Sequence, residues 1–294
     1  LPARGVGKDV LDVVVHVPIA VLFYIYGAKI SPAAIWTGIT HWRLQGLIFA
    51  TTFVVFPIIG FGVVTLARGY LDSGLATGLM FVCLLPSTVQ SSIAFTSIAR
   101  GNVPAALCAA SVSNLAGVVI TPLLATMFLS AHSGGLSLDA VRDIALQILL
   151  PFVVGQCARP LVGDWFTRQK TLTMLVDRGS ILLVVYSAFS AGVVAGIWSQ
   201  VTPQMLALVL VLNMVILALV LIFTTVAARS LRFSIEDEIA IVFCGSKKSM
   251  ASGLPMANII FSAGTVGLIV LPLMLFHQMQ LMVCAALARR YSRR

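Results

Sequence analysis

The chain has 294 residues, 59% of them hydrophobic and only 10% charged, with a mean hydropathy of +1.03. A water-soluble domain of this length cannot hide that much apolar surface, so the class is an all-α polytopic membrane protein. The runs do not alternate polar and apolar residues, which excludes a β-barrel. The net charge of +9 falls in short loops and the tail, so it reports topology rather than nucleic-acid binding.

Spanning-length apolar runs fall at roughly 9–28, 44–66, 74–98, 104–130, 138–160, 174–197, 203–229, 235–262 and 264–288, predicting nine helices joined by short loops. The first carries His16 near its outer end. The third is interrupted by Leu85-Pro86-Ser87-Thr88-Val89-Gln90-Ser91-Ser92, and the fourth holds Ser113 and Asn114. Asn213 lies in the seventh, and His277 with Gln278 in the ninth. The isolated amides and hydroxyls read as interhelical glue, and His277–Gln278 as a packed polar pair. The five cysteines lie in or beside apolar runs with no metal-ligand spacing, and read as small buried hydrophobes. No Ser/His/Asp set or phosphate loop is present, so an enzyme is not expected.

The eighth run is the most informative. Phe243-Cys-Gly-Ser-Lys-Lys-Ser-Met-Ala-Ser-Gly-Leu-Pro255 places Lys247 and Lys248 in the middle of a hydrocarbon-length segment. A charge at the bilayer centre costs from ~3 to ~17 kcal/mol, depending on the method, and persists only when paired or wet. No Asp or Glu lies in the middle of any span; Asp177 and Glu236-Asp237-Glu238 sit at helix ends. A buried lysine without a carboxylate must lose its proton, reach water, or await an anionic ligand. Adjacent helical residues point about 100° apart, so one lysine is expected to face a cavity and the other to pack elsewhere.

Placing the tail arginines in the cytoplasm and alternating backwards gives that side thirteen basic residues. The far side receives Arg4, Lys8, Arg68 and Arg142. The C-terminus is therefore expected in the cytoplasm. Nine spans put Leu1 outside, and a tenth helix ahead of it would make two halves of five in opposite orientation. That is the inverted-repeat plan of many secondary transporters. Gly117-Val-Val-Ile-Thr-Pro122 and Gly267-Leu-Ile-Val-Leu-Pro272 share one spacing, each in the helix after an interrupted one. The expected division is one transmembrane domain, with a first repeat over 1–131 and a second over 138–294. Paired interruptions of this kind mark a transporter's binding site. The expected substrate ligands are Lys247, Lys248, Ser246, Ser249, Thr88, Gln90, Ser91 and Ser92. Ser91, Gln90 and Asn114 are expected ion ligands, and no metal cluster is expected.

Leu85-Pro86 with its polar cluster, Ala99-Arg100-Gly101-Asn102, Thr121-Pro122, Leu149-Leu150-Pro151-Phe-Val-Val-Gly155 and the interruption at 243–253 together resemble the bile acid:sodium symporter family. Phe-Cys-Gly-Ser-Lys-Lys-Ser and Tyr26-Gly-Ala-Lys29 are most similar to its bacterial symporter-like branch. The resemblance implies inverted five-helix repeats forming panel and core domains, with two broken helices crossing in the core and the family's first helix missing here. It implies a bacterial inner-membrane protein that carries a small organic anion by alternating access. The family's sodium sites use a glutamate at the crossing and a glutamine four residues later, where this chain has Phe243 and Lys247. Of a family Ser-Asn pair only Ser91 is kept, and Ala106 and Ala110 stand where relatives have hydroxyls. The usual sodium sites are thus expected to be absent, with transport coupled to protons or independent of sodium through Lys247. A sodium-coupled symporter with rebuilt ion sites and a non-transporting membrane regulator are the alternatives.

Overall fold

The computed structural model describes residues 6–29, 41–133, 145–194, 196, 201–261 and 264–294. Its elements are α1 (Val6–Lys29), α2 (Trp42–Leu66), α3 (Ser73–Leu84), α4 (Val89–Ile98), α5 (Val103–Ser133) and α6 (Leu150–Arg168). They continue with α7 (Lys170–Val194), α8 (Pro203–Ser230), α9 (Ile235–Gly245), α10 (Met250–Ile260) and α11 (Val266–Ser292). Among the described residues there is no strand. Arg4 and Arg142, and residues 134–137 between the expected repeats, lie outside the described residues.

Each expected apolar run contains a helix or a broken pair. Among the described residues, Trp42–Leu66, Val103–Leu129, Pro203–Ser230 and Val266–Ser292 are long and apolar enough to cross a bilayer alone. Ser73–Leu84 and Val89–Ile98 make a fifth span if taken together, bent by 61° at their junction. The expected end of the fifth run at 160 is passed: α6 continues through Pro160 to Arg168.

Local chemistry sets the starts. Asp72 accepts from Gly74 N (2.8 Å) ahead of α3, and Thr202 accepts from Met205 N ahead of Pro203 in α8. Ser234 caps α9 through Asp237 N, and Glu236, Asp237 and Glu238 fill its first turn, where the helix dipole favours negative charge. The α3 stop is equally local. Pro86 forces Leu85 out of helical geometry (ψ 155°), and Thr88, just before α4, is extended as well.

α1 packs on α6 and α7, while α3 packs on α2 and α11, and α9 on α8, α4 and α5. The α1–α6 contact is backbone on backbone. A Cβ at Gly155 would collide with the Tyr24 carbonyl oxygen, and one at Gly27 with that of Phe152. Small residues are what permit such an approach between membrane helices. Polarity is distributed inside out: Ser87, Ser92, Thr121, Lys247, Lys248 and Gln280 are fully or nearly fully buried, while Leu66, Leu161 and Met282 are exposed.

Candidate functional site

A break in a helix releases carbonyls that no longer have an N–H four residues on, and at membrane depth each must find another donor. Every carbonyl from Cys83 to Ser87 does so. Cys83 O and Leu85 O accept from Lys248 Nζ at 2.8 and 2.7 Å. Leu84 O accepts from Thr121 Oγ1 (2.9 Å), Pro86 O from Ser249 N (2.8 Å) and Ser87 O from Asn114 Nδ2 (2.6 Å). The polar residues of α5 therefore stitch the first break to its neighbour.

The second break, Ser246 to Ser249, has no proline of its own. Gln280 of α11 supplies what the helix ladder would have: its Oε1 accepts from Lys248 N and its Nε2 donates to Lys248 O, both at 2.9 Å. Ser249 then caps α10 through Ser252 N (3.2 Å), and Ser252 Oγ donates to Asn114 Oδ1 (2.8 Å). The two breaks touch directly. Ser87 Oγ donates to Cys244 O (2.6 Å), Thr88 Oγ1 to Lys248 O (2.9 Å) and Ser92 Oγ to Phe243 O (3.2 Å).

The lysines sit in non-helical backbone, so the expected 100° divergence of a helix is not what separates them. They diverge because one side chain meets acceptors and the other does not. Lys248 Nζ also donates to Thr52 O at 2.8 Å and lies 4.1 Å from the centre of the Phe56 ring. That third carbonyl comes from a π-helical turn, Thr51–Val55, in α2. Phe56 N bonds back to Thr51 O, and Pro57 has no N–H to offer Thr52 O in the same register. Lys247 Nζ is fully buried with no hydrogen-bond partner among the described residues, 3.8 Å from the Phe95 ring centre and 6.0 Å from that of Phe243. The thiols of Cys244 and Cys284 and the His277 imidazole are its titratable neighbours.

Three further buried hydroxyls on or beside these elements, those of Ser91, Thr96 and Ser246, lack an oxygen or nitrogen partner among the described residues. Ser91 Oγ lies one turn before Phe95 on the same face of α4, and Ser246 Oγ adjoins Lys247 beside the Cys284 thiol. Ser91, Ser246 and Lys247 all carry donors, the kind of group an anion's oxygens need. The other expected ligands differ. Thr88, Ser92, Ser249 and Asn114 are engaged in bonds that hold the breaks together, and Gln90 is exposed at the start of α4.

Among the described residues, no acid is hydrogen-bonded to Lys247 or Lys248. Glu238 takes two hydrogen bonds from Arg229 (2.9 and 3.0 Å) and one from Tyr291 (2.8 Å), joining α8, α9 and α11 at their ends. Among the described residues no group of three His, Cys, Asp or Glu could hold a metal, and none of the five cysteines is disulfide-bonded. Asn213 donates across to Pro272 O (3.1 Å), as interhelical glue should. His277 pairs with Gln280 rather than with exposed Gln278. Sequence reasoning missed Gln280, Thr52 and Phe95. Only Gln280, an amide in an apolar helix one turn from a histidine, left a readable signal.

A model of the SBF-like CPA transporter family matches residues 1–293. A Pseudomonas aeruginosa protein named "Uncharacterized protein PA2026" is 54% identical over 100% of this chain and 89% of its own length. The Escherichia coli protein named "Putative symporter YfeH" is 50% identical over 99% of this chain and 88% of its own. "Sodium/bile acid cotransporter 7" of Rattus norvegicus is 26% identical over 97% of this chain and 86% of its own.

Proposed function

The chain belongs to the SBF-like CPA transporter family, related to sodium/bile acid symporters, and from that footing we propose that it is a secondary-active carrier of a small organic anion working by alternating access. The observation that carries this is Lys247: a fully buried ammonium-bearing chain at a helix crossing, with no carboxylate and no hydrogen-bond acceptor among the described residues. An unpaired charge is expensive at such depth, and an incoming carboxylate or similar oxyanion supplies the missing partner. Ser91 and Ser246 add hydroxyl donors, and Phe95 and Phe243 offer an apolar wall to the rest of the substrate. Lys248, Ser249, Thr88 and Ser92 frame the site by holding the breaks, and Gln90 stands at its exposed edge.

In this reading two inverted repeats, 1–131 and 138–294, each contribute one break, and the protein lies in a bacterial inner membrane with its C-terminus in the cytoplasm. The paired breaks and the arginine-rich tail support it. Proton movement at Lys247 couples the cycle, in surroundings that include Cys244, Cys284 and His277.

The test is uptake by proteoliposomes offered labelled small carboxylates, under an imposed pH gradient and with sodium replaced by choline. Wild-type protein accumulates at least one of them, and Lys247→Gln loses the uptake or its pH dependence. Unchanged uptake by the variant removes Lys247 from the mechanism. The names of relatives favour a second reading, a sodium-coupled symporter with rebuilt ion sites at Ser91, Gln90 and Asn114. Sodium-dependent uptake would select it, and a complete lack of transport would point to a membrane regulator.

A further inference from the structure

The number of acceptors around Lys248 carries information of its own. Three backbone carbonyls, from Thr52, Cys83 and Leu85, converge on Nζ at 2.7–2.8 Å. An ammonium has three N–H donors and a neutral amine only two, so three acceptors fit the charged form. The Phe56 ring adds an aromatic face at 4.1 Å, and the whole side chain is buried.

The carbonyls come from places where the helix has run out of donors. Cys83 is in the last turn of α3 and Leu85 is its cap, at the negative end of that helix. Thr52 is in the π-turn that Pro57 leaves short of an N–H. Convergent carbonyls in a dry interior are the material from which membrane proteins build cation sites. Here the cation arrives attached to the chain.

We infer that Lys248 is a tethered cation: its ammonium permanently fills a three-carbonyl site at the helix crossing, so no alkali-metal ion is required there and that charge stays in place throughout the cycle. A sodium ion does not fit alongside it. The three oxygens are in use, like charges would lie a few ångströms apart, and Glu238, at the far end of α9, is held by Arg229 and Tyr291. The inference deepens the carrier reading by taking sodium out of the crossing, and rests on that reading only where uptake is concerned. The stability consequence follows from the geometry alone.

The experiment is thermal unfolding of the purified full chain in detergent, in sodium, ammonium or choline chloride at matched ionic strength. Wild-type protein is expected to unfold at one temperature in sodium and choline. Lys248→Ala vacates the site, and is expected to unfold about 5 °C or more lower in choline. Sodium or ammonium, small enough to enter the space, should recover part of that loss. Lys248→Met fills the space without charge and should unfold low in every salt. Sodium-specific stabilisation of the wild type overturns the inference. So does wild-type stability in either variant, or a folded Lys248→Ala that responds to no small cation. If neither variant folds, the wild-type comparison of sodium with choline decides alone. Failure of every carboxylate to be transported would sink the carrier reading and leave these unfolding results standing.

Discussion

Gln280 shows how much one side chain can hold. It bonds both the N–H and the C=O of Lys248 while fully buried, and its own Nε2 meets His277 Nδ1 at 2.9 Å. Replacing it with Leu keeps the volume roughly constant but leaves a buried amide of the second break without a partner. The expected cost is about 2–3 kcal/mol, which should lower the unfolding midpoint by several degrees in a detergent melt. An unchanged midpoint would mean that the break does not depend on this amide. At this scale the sequence was readable where a residue type is out of place. Two lysines in an apolar run announce themselves. Their separate roles do not, because the three acceptors of Lys248 are backbone carbonyls, which every residue type carries. Gln280 was legible only through its spacing to His277: residues three apart share a helix face, whereas His277 and Gln278 do not.

Among the elements, the two breaks were legible for different reasons. Pro86 removes a donor and restricts Leu85, a purely local cause, so the end of α3 follows from the sequence. The end of α9 follows from Gly245 and the serines only in part, since it also needs Gln280 from a helix more than thirty residues on. The π-turn of α2 was not anticipated, although Pro57 was visible, because a shift in hydrogen-bond register changes no residue pattern. The α1–α6 contact gives a sharp element-scale test. Gly155→Ala must push α6 off the Tyr24 carbonyl, so expression and monodispersity in detergent should fall markedly. Gly46→Ala, with open space where the methyl would sit, should be tolerated and gain about 0.5–1 kcal/mol from helix propensity. Equal behaviour of the two variants would contradict the packing described.

For the whole molecule, composition sufficed to name an all-helical membrane protein, and the buried polar stitching confirms why the breaks can exist at all. Each released carbonyl of the first break has a donor, so irregular backbone at that depth leaves no unpaired acceptor from Cys83 to Ser87. Membrane orientation remains a proposal drawn from charge. A C-terminal green fluorescent protein fusion should fluoresce and a C-terminal alkaline phosphatase fusion stay inactive, because the tail bearing Arg289, Arg290, Arg293 and Arg294 is expected in the cytoplasm. The reverse pattern would invert the scheme.

The central claim is that Lys247 waits for an anion while Lys248 has already found its acceptors. Its most direct test is a thermal-shift titration of small mono- and dicarboxylates against the purified protein in choline chloride, comparing wild type with Lys247→Gln. The account predicts that at least one carboxylate raises the wild-type midpoint without sodium, as a ligand of the folded state must, and leaves the variant unmoved. A shift of equal size in Lys247→Gln, or one that needs sodium, would contradict it.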